Sequence, residues 1–128
     1  MSIRHFRLAL SVAVVAGCST GRLPNTSFAQ SGALERAMRS YYEAHASEDH
    51  GYCSSPYIDG LSQVHVVDEQ PQRLVVDVRY FYRDWQKSNR GDSNGGNECT
   101  GFAGRSFTFG KDAADGVKIL EMTGPRRS

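Results

Sequence analysis

The stretch from Arg73 to Trp85 constrains the fold more than any other part of the chain. Leu74, Val76, Val78, Tyr80 and Tyr82 fall on one side of a two-residue period, while Val75, Asp77, Arg79, Phe81 and Arg83 fall on the other. Only an extended strand sends successive side chains to opposite faces, so this run is a strand with one apolar face to cover and one mixed, charged face. A single strand cannot bury that face alone. A helix must lie against it, and the sequence offers one directly upstream. From Ser31 to about Asp49, Leu34, Met38, Tyr41 and His45 recur at helical spacing, with Ala37 and Tyr42 widening the stripe. Ser31 or Gly32 is placed to cap it, Glu35 sits near its start, and Glu35 and Arg39 form an i, i+4 pair.

Three further strands are expected. Residues 58–67 are apolar-rich, and Asp68 to Gln72 reads as the turn into the alternating strand. Residues 86–98 form a polar Gly/Asn/Ser loop that contains Arg90-Gly91-Asp92, a tripeptide expected there by chance. Residues 100–109 carry Phe102, Phe107 and Phe109, with Gly101 and Gly104 suggesting a bulge or bend. Residues 117–123 make a last strand before a terminal tail, Gly124 to Ser128. One helix followed by four strands implies an α+β domain, the helix packed on a curved four-stranded antiparallel sheet. This order over residues 31–124 resembles the cystatin-like fold and the related nuclear-transport-factor-two-like cone. The Gln-x-Val-x-Gly inhibitory hairpin of cystatins is absent from the corresponding turn, and the cone's further helices have no counterpart here.

The N-terminus addresses location. Arg4, His5 and Arg7 precede an apolar run from Leu8 to Ala16. Nine helical residues rise about 14 Å, under half of the roughly 30 Å hydrocarbon core, so the run is a signal sequence rather than a span. Val15-Ala16-Gly17-Cys18 resembles the lipobox of bacterial lipoproteins. The resemblance implies removal of residues 1–17 as a lipoprotein signal peptide and diacylglyceryl attachment at Cys18, a membrane partner through the lipid. A rival cleavage pattern, Ser27-Phe28-Ala29, lies thirteen residues past the apolar run. Residues 18–30 then make the lipidated cysteine and a flexible tether reaching about 20 Å, and residues 31–128 the single domain. With Ser19 rather than Asp after the cysteine, a Gram-negative source would place it on the periplasmic face of the outer membrane.

The 128 residues leave room for one domain, and loss of Arg4 and Arg7 leaves 13 basic against 14 acidic residues, formally −1. That balance excludes a strongly basic nucleic-acid binder. In an oxidising envelope compartment the remaining pair, Cys53 and Cys99, reads as a disulfide, the rival being a free thiol or metal ligand. His45, Glu48, Asp49 and His50 cluster after the helix but read as solvated charges, and no metal or other cofactor is expected. No catalytic constellation emerges, so the chain reads as a non-catalytic binding or structural module for another envelope protein. Phe81 and Trp85, beside Arg79 and Arg83, form the expected interaction face. The alternative is a pocket between helix and sheet for a small apolar ligand. An enzyme on such a cavity would use His65 or Asp77 as base.

Overall fold

A computed structural model describes residues 21–85 and 99–127. The expected signal peptide, Cys18 and the loop with Arg90-Gly91-Asp92 lie outside the described residues. The architecture is α+β: one helix, α1 (Ser31–His45), and four strands, β1 (Tyr57–Gln70), β2 (Arg73–Asp84), β3 (Cys99–Lys111) and β4 (Val117–Met122). The strands form one antiparallel sheet in the order β1-β2-β3-β4. Sequence neighbours are thus spatial neighbours throughout, and the sheet is an open meander.

The alternation in β2 divides the molecule. Leu74, Val76, Val78, Tyr80 and Tyr82 are buried, joined by Ile58 of β1 and by Phe107 and Phe109 of β3. Leu34, Met38 and Tyr42 of α1 complete this core. The helical stripe therefore runs at i, i+4, i+8 through Tyr42 and on to buried Ala46. Tyr41 is half-buried and His45 exposed, a shift of one position from the expected face. α1 also stops at His45 rather than near Asp49, because Ala46 turns into extended backbone while its N–H still reaches the Tyr42 carbonyl.

The segment before the helix is not a free tether. Leu23 and Phe28 are buried in the core, with the Lys111 ammonium 5.0 Å from the Phe28 ring centroid. Neither Ser31 nor Gly32 caps α1; the Asn25 side chain accepts the Ser31 N–H at 2.8 Å. Glu35 accepts the Leu23 N–H at 3.3 Å, and Arg39 donates to the Ile58 carbonyl at 2.6 Å, so both bind the chain around the helix rather than each other. Ser27 donates to Glu69 through its N–H and its hydroxyl, at 3.0 and 2.6 Å. The expectation of flexibility rested on the polar, Pro-containing composition of residues 19–30. Two large apolar side chains suffice to dock the described part of it, residues 21–30, at roughly 1.5–3 kcal/mol each.

The hairpin between β1 and β2 turns on Pro71 and Gln72 alone, tighter than the expected Asp68–Gln72 turn. The bulge expected at Gly101 or Gly104 is not there: β2 and β3 pair without interruption from Arg73↔Gly110 to Asp84↔Cys99. Register shifts fall instead on β1, between Ile58 and Gly60, Leu61 and Gln63, and Val66 and Asp68, and in the pairing of β3 with β4 between Thr108 and Phe109. Gly101 serves packing, since a Cβ there would lie 2.8 Å from the Tyr82 hydroxyl. Cys53 and Cys99 are disulfide-bonded, their Cα atoms 5.8 Å apart. The bond ties the loop after α1 to the start of β3 and, across 46 positions, constrains the unfolded chain by about 4 kcal/mol on the chain-entropy account.

Candidate functional site

Two polar constellations stand on opposite faces of the sheet. The first is buried. Arg105 takes an inward position on β3, two residues before Phe107, and its side chain is 1% exposed. A guanidinium there requires a carboxylate and full use of its donors. Glu48 supplies the carboxylate, with Arg105 Nη2 3.0 Å and Nε 3.3 Å from Glu48 Oε1. Arg105 also donates to the Ser47 and Thr123 carbonyls, both at 2.8 Å, and to the Tyr80 hydroxyl at 2.7 Å. Tyr42 donates to Glu48 Oε1 at 2.9 Å, and Tyr80 donates to the same oxygen. Burial first pushes both phenols far above their ordinary range, followed by Tyr80 and the Glu48 carboxylate for Tyr42 and by the Glu48 carboxylate for Tyr80, so they stay neutral donors.

This network joins four pieces of chain: the exit of α1, β2, β3 and the end of β4. Gly124 completes the fit, with φ +93 and its Cα hydrogens facing the guanidinium, where a Cβ would lie 2.8 Å from Arg105 Nη1. The terminal tail is fixed here too: Arg127 N–H donates to the His45 carbonyl at 2.9 Å and Ser47 N–H to the Pro125 carbonyl at 3.2 Å. Glu48, expected as a solvated charge, is thus the most constrained acid of its cluster. Asp49 and His50 beside it are exposed and adopt φ of 50 and 53 in a loop closed by paired backbone bonds between Glu48 and Cys53. The Arg105 guanidinium, the two phenols and Oε1 of Glu48 all hold structural bonds within the fold. It is a staple.

The second constellation covers the open face. Phe81 is half-buried against Phe102, ring centroids 5.1 Å apart, and Phe102 itself is 75% exposed. Trp85, 51% exposed, stacks on Tyr57 at 6.3 Å. The Arg83 guanidinium lies 5.0 Å from the Trp85 ring centroid and 5.8 Å from that of Phe81, and 3.9 Å from Asp59. The expected set of Phe81, Arg79, Arg83 and Trp85 therefore shares one face, and Phe102 and Tyr57, opposite Phe81 and Arg83 in register, extend it. Phe102 escaped the sequence reading because its neighbours are glycine, alanine and threonine, with no apolar alternation to assign its side.

Beside the aromatic strip a groove of about 440 Å³ is lined by Gln63, His65, Asp77, Arg79 and Ser106 among others. His65, Asp77 and Ser106 stand in register across β1, β2 and β3. The Ser106 hydroxyl donates to Asp77, so the carboxylate, not the imidazole, sits next to the hydroxyl. A serine nucleophile needs the imidazole in that middle place to take its proton. The order His65–Asp77–Ser106 does not build that relay. Among the described residues no group of three or more His, Cys, Asp and Glu comes together to hold a metal ion.

No protein-family model, curated protein or solved structure matches this chain.

Proposed function

We propose that this chain is a small lipid-anchored envelope protein that binds another envelope protein, without catalysis, through the open face of its sheet. The observation that carries the reading is the contrast of the strip Tyr57, Phe81, Arg83, Trp85 and Phe102 with its surroundings. Aromatic and arginine side chains are those that dominate binding interfaces when desolvated, and here they are carried largely by β2 and β3, which pair without interruption, with Phe102 three-quarters exposed. Side chains held on paired strands lose less conformational entropy on binding than those of a free loop. The element order agrees with a cystatin-like domain whose sheet curves over its helix. The other side of the sheet supports this choice over a ligand pocket beneath α1, since Leu34, Met38, Tyr42, Val76, Tyr80 and Phe107 fill that interface at full burial. The lipobox-like Val15-Ala16-Gly17-Cys18 supplies the anchor in this reading, on the periplasmic face of the outer membrane in a Gram-negative cell.

Two experiments test it. Intact mass of the membrane-extracted protein should exceed the Cys18–Ser128 polypeptide by a diacylglyceryl adduct; a water-soluble species beginning at Gln30 contradicts the anchor. A photo-crosslinking residue in place of Phe102, in the producing cell, should give one discrete protein adduct, and the same residue in place of Val67 on the β1 edge should not. Equal or absent adducts at both positions contradict the docking face.

A further inference from the structure

We infer that the hollow bounded by Ser62, Gln63, Arg79 and Phe102 is a carboxylate subsite that receives an aspartate or glutamate side chain of the partner, flanked by an apolar residue. The inference rests on reading the open face as the docking surface and adds to it the chemistry of what docks. The hollow measures about 270 Å³, and its wall of Gln63 and Arg79 also closes one side of the larger groove.

Charge accounting on this face singles out Arg79. Asp59 faces Arg83 at 3.9 Å, Asp68 faces Arg73 at 3.7 Å, and Asp77 accepts the Ser106 hydroxyl. Arg79, between them, makes no ion pair and no side-chain hydrogen bond among the described residues. Its register partner on β3 is Gly104, so no side chain stands over it from that strand. The register shift between Leu61 and Gln63 brings Ser62 to the same hollow, a use of a bulge to re-aim a side chain. The walls thus hold a planar bidentate donor, an amide, a hydroxyl and an exposed aromatic ring. A carboxylate matches the guanidinium fork, the amide and hydroxyl can donate to its remaining lone pairs, and the ring covers an adjacent apolar group. A single guanidinium with no ion pair suits one negative charge; a phosphate dianion would be left poorly neutralised there.

The mature, detergent-extracted chain, labelled with nitrogen-15, can be titrated with 3-phenylpropionate and, in parallel, with neutral 3-phenylpropionamide. The expected result is a saturable shift of the Gln63, Arg79 and Phe102 amides with the carboxylate, at least about tenfold weaker with the amide. Arg79→Gln should lose that preference while Arg73→Gln, at the far end of β2 and outside the strip, keeps it, each with an unchanged unfolding midpoint. Equal response to the two probes, an undiminished response in Arg79→Gln, or no saturation up to the solubility limit of the probe overturns the subsite. A concentration-dependent dimer that buries Phe102 and excludes the probe assigns the face to a second copy and also overturns it. If the crosslink from position 102 forms while the probe shows no charge preference, the docking face stands and only the carboxylate subsite falls. If the probe binds with the expected preference but position 102 gives no adduct, the subsite stands and the protein-docking reading falls.

Discussion

Arg79 and Arg105 are one residue apart in register, Arg79 opposite Gly104 and Arg105 opposite Val78, and they live in opposite worlds. Arg105 points inward, is buried, and spends its donors on Glu48, Tyr80, Ser47 and Thr123. Arg79 points outward, is exposed, and meets no acid. The parity of a strand position decides between them: one step along β3 or β2 carries a guanidinium from a medium where an unpaired charge is intolerable to one where it is free to wait for a partner. The inner arginine contributes to the fold. The outer one makes no ion pair among the described residues.

The comparison can be broken most severely at its buried end. Glu48→Ala leaves Arg105 charged, buried and unpaired, and should cost about 3–5 kcal/mol in urea unfolding. The double change Glu48→Leu with Arg105→Met should recover part of that loss, because two apolar side chains remove both ionic desolvation costs while the Tyr42 and Tyr80 hydroxyls and the Ser47 and Thr123 carbonyls lose partners. Next in size is the covalent tie. Replacing Cys53 and Cys99 by serine should cost about 2–5 kcal/mol by the same measurement, since the bond ties the loop after Glu48 to the start of β3 across 46 positions.

An alkaline titration sharpens the same end. Tyr42 and Tyr80 have folded-state pKa values raised above the unfolded value of about 10. Below pH ~10 both states hold these protons and the contribution is complete. Above it the unfolded chain releases protons that the folded chain keeps, so stability falls as pH rises, by up to about 1.4 kcal/mol per pH unit for each phenol. Unfolding curves recorded from pH 8 upward should show this decline, and Tyr42→Phe should make it shallower.

The smallest expected effect is on the open face. Phe102→Ala should move stability by no more than about 0.5 kcal/mol, as for other exposed positions, while abolishing capture of the partner identified by crosslinking. A large loss of stability would mean that the strip is part of the core.

Much of this division was legible before any coordinates. The alternation in β2 assigns its faces correctly because both faces are long and chemically unlike. The pairing of Cys53 with Cys99 follows from compartment and count. The helix was legible as a helix, but its buried side was read one residue early, since Tyr41 and Tyr42 are equally apolar and either one extends the stripe. Leu23 and Phe28 were hidden in a polar segment with no period, where docking depends on a surface formed by distant strands.

The staple was missed for a different reason. Glu48 sits in the polar run Ser47 to His50, 57 positions before Arg105, and nothing local announces that it turns inward. A signal did exist in β3. Counting back by twos from Phe109 and Phe107 lands on Arg105, and an arginine on the inward row demands a carboxylate from elsewhere.

The division of labour between the two arginines is tested most directly by equilibrium urea unfolding of Arg105→Gln and Arg79→Gln side by side with the parent chain. Arg105→Gln should lose about 3–5 kcal/mol, and Arg79→Gln should stay within about 0.5 kcal/mol of the parent. Equal losses in the two variants, or a stable Arg105→Gln, would contradict the account.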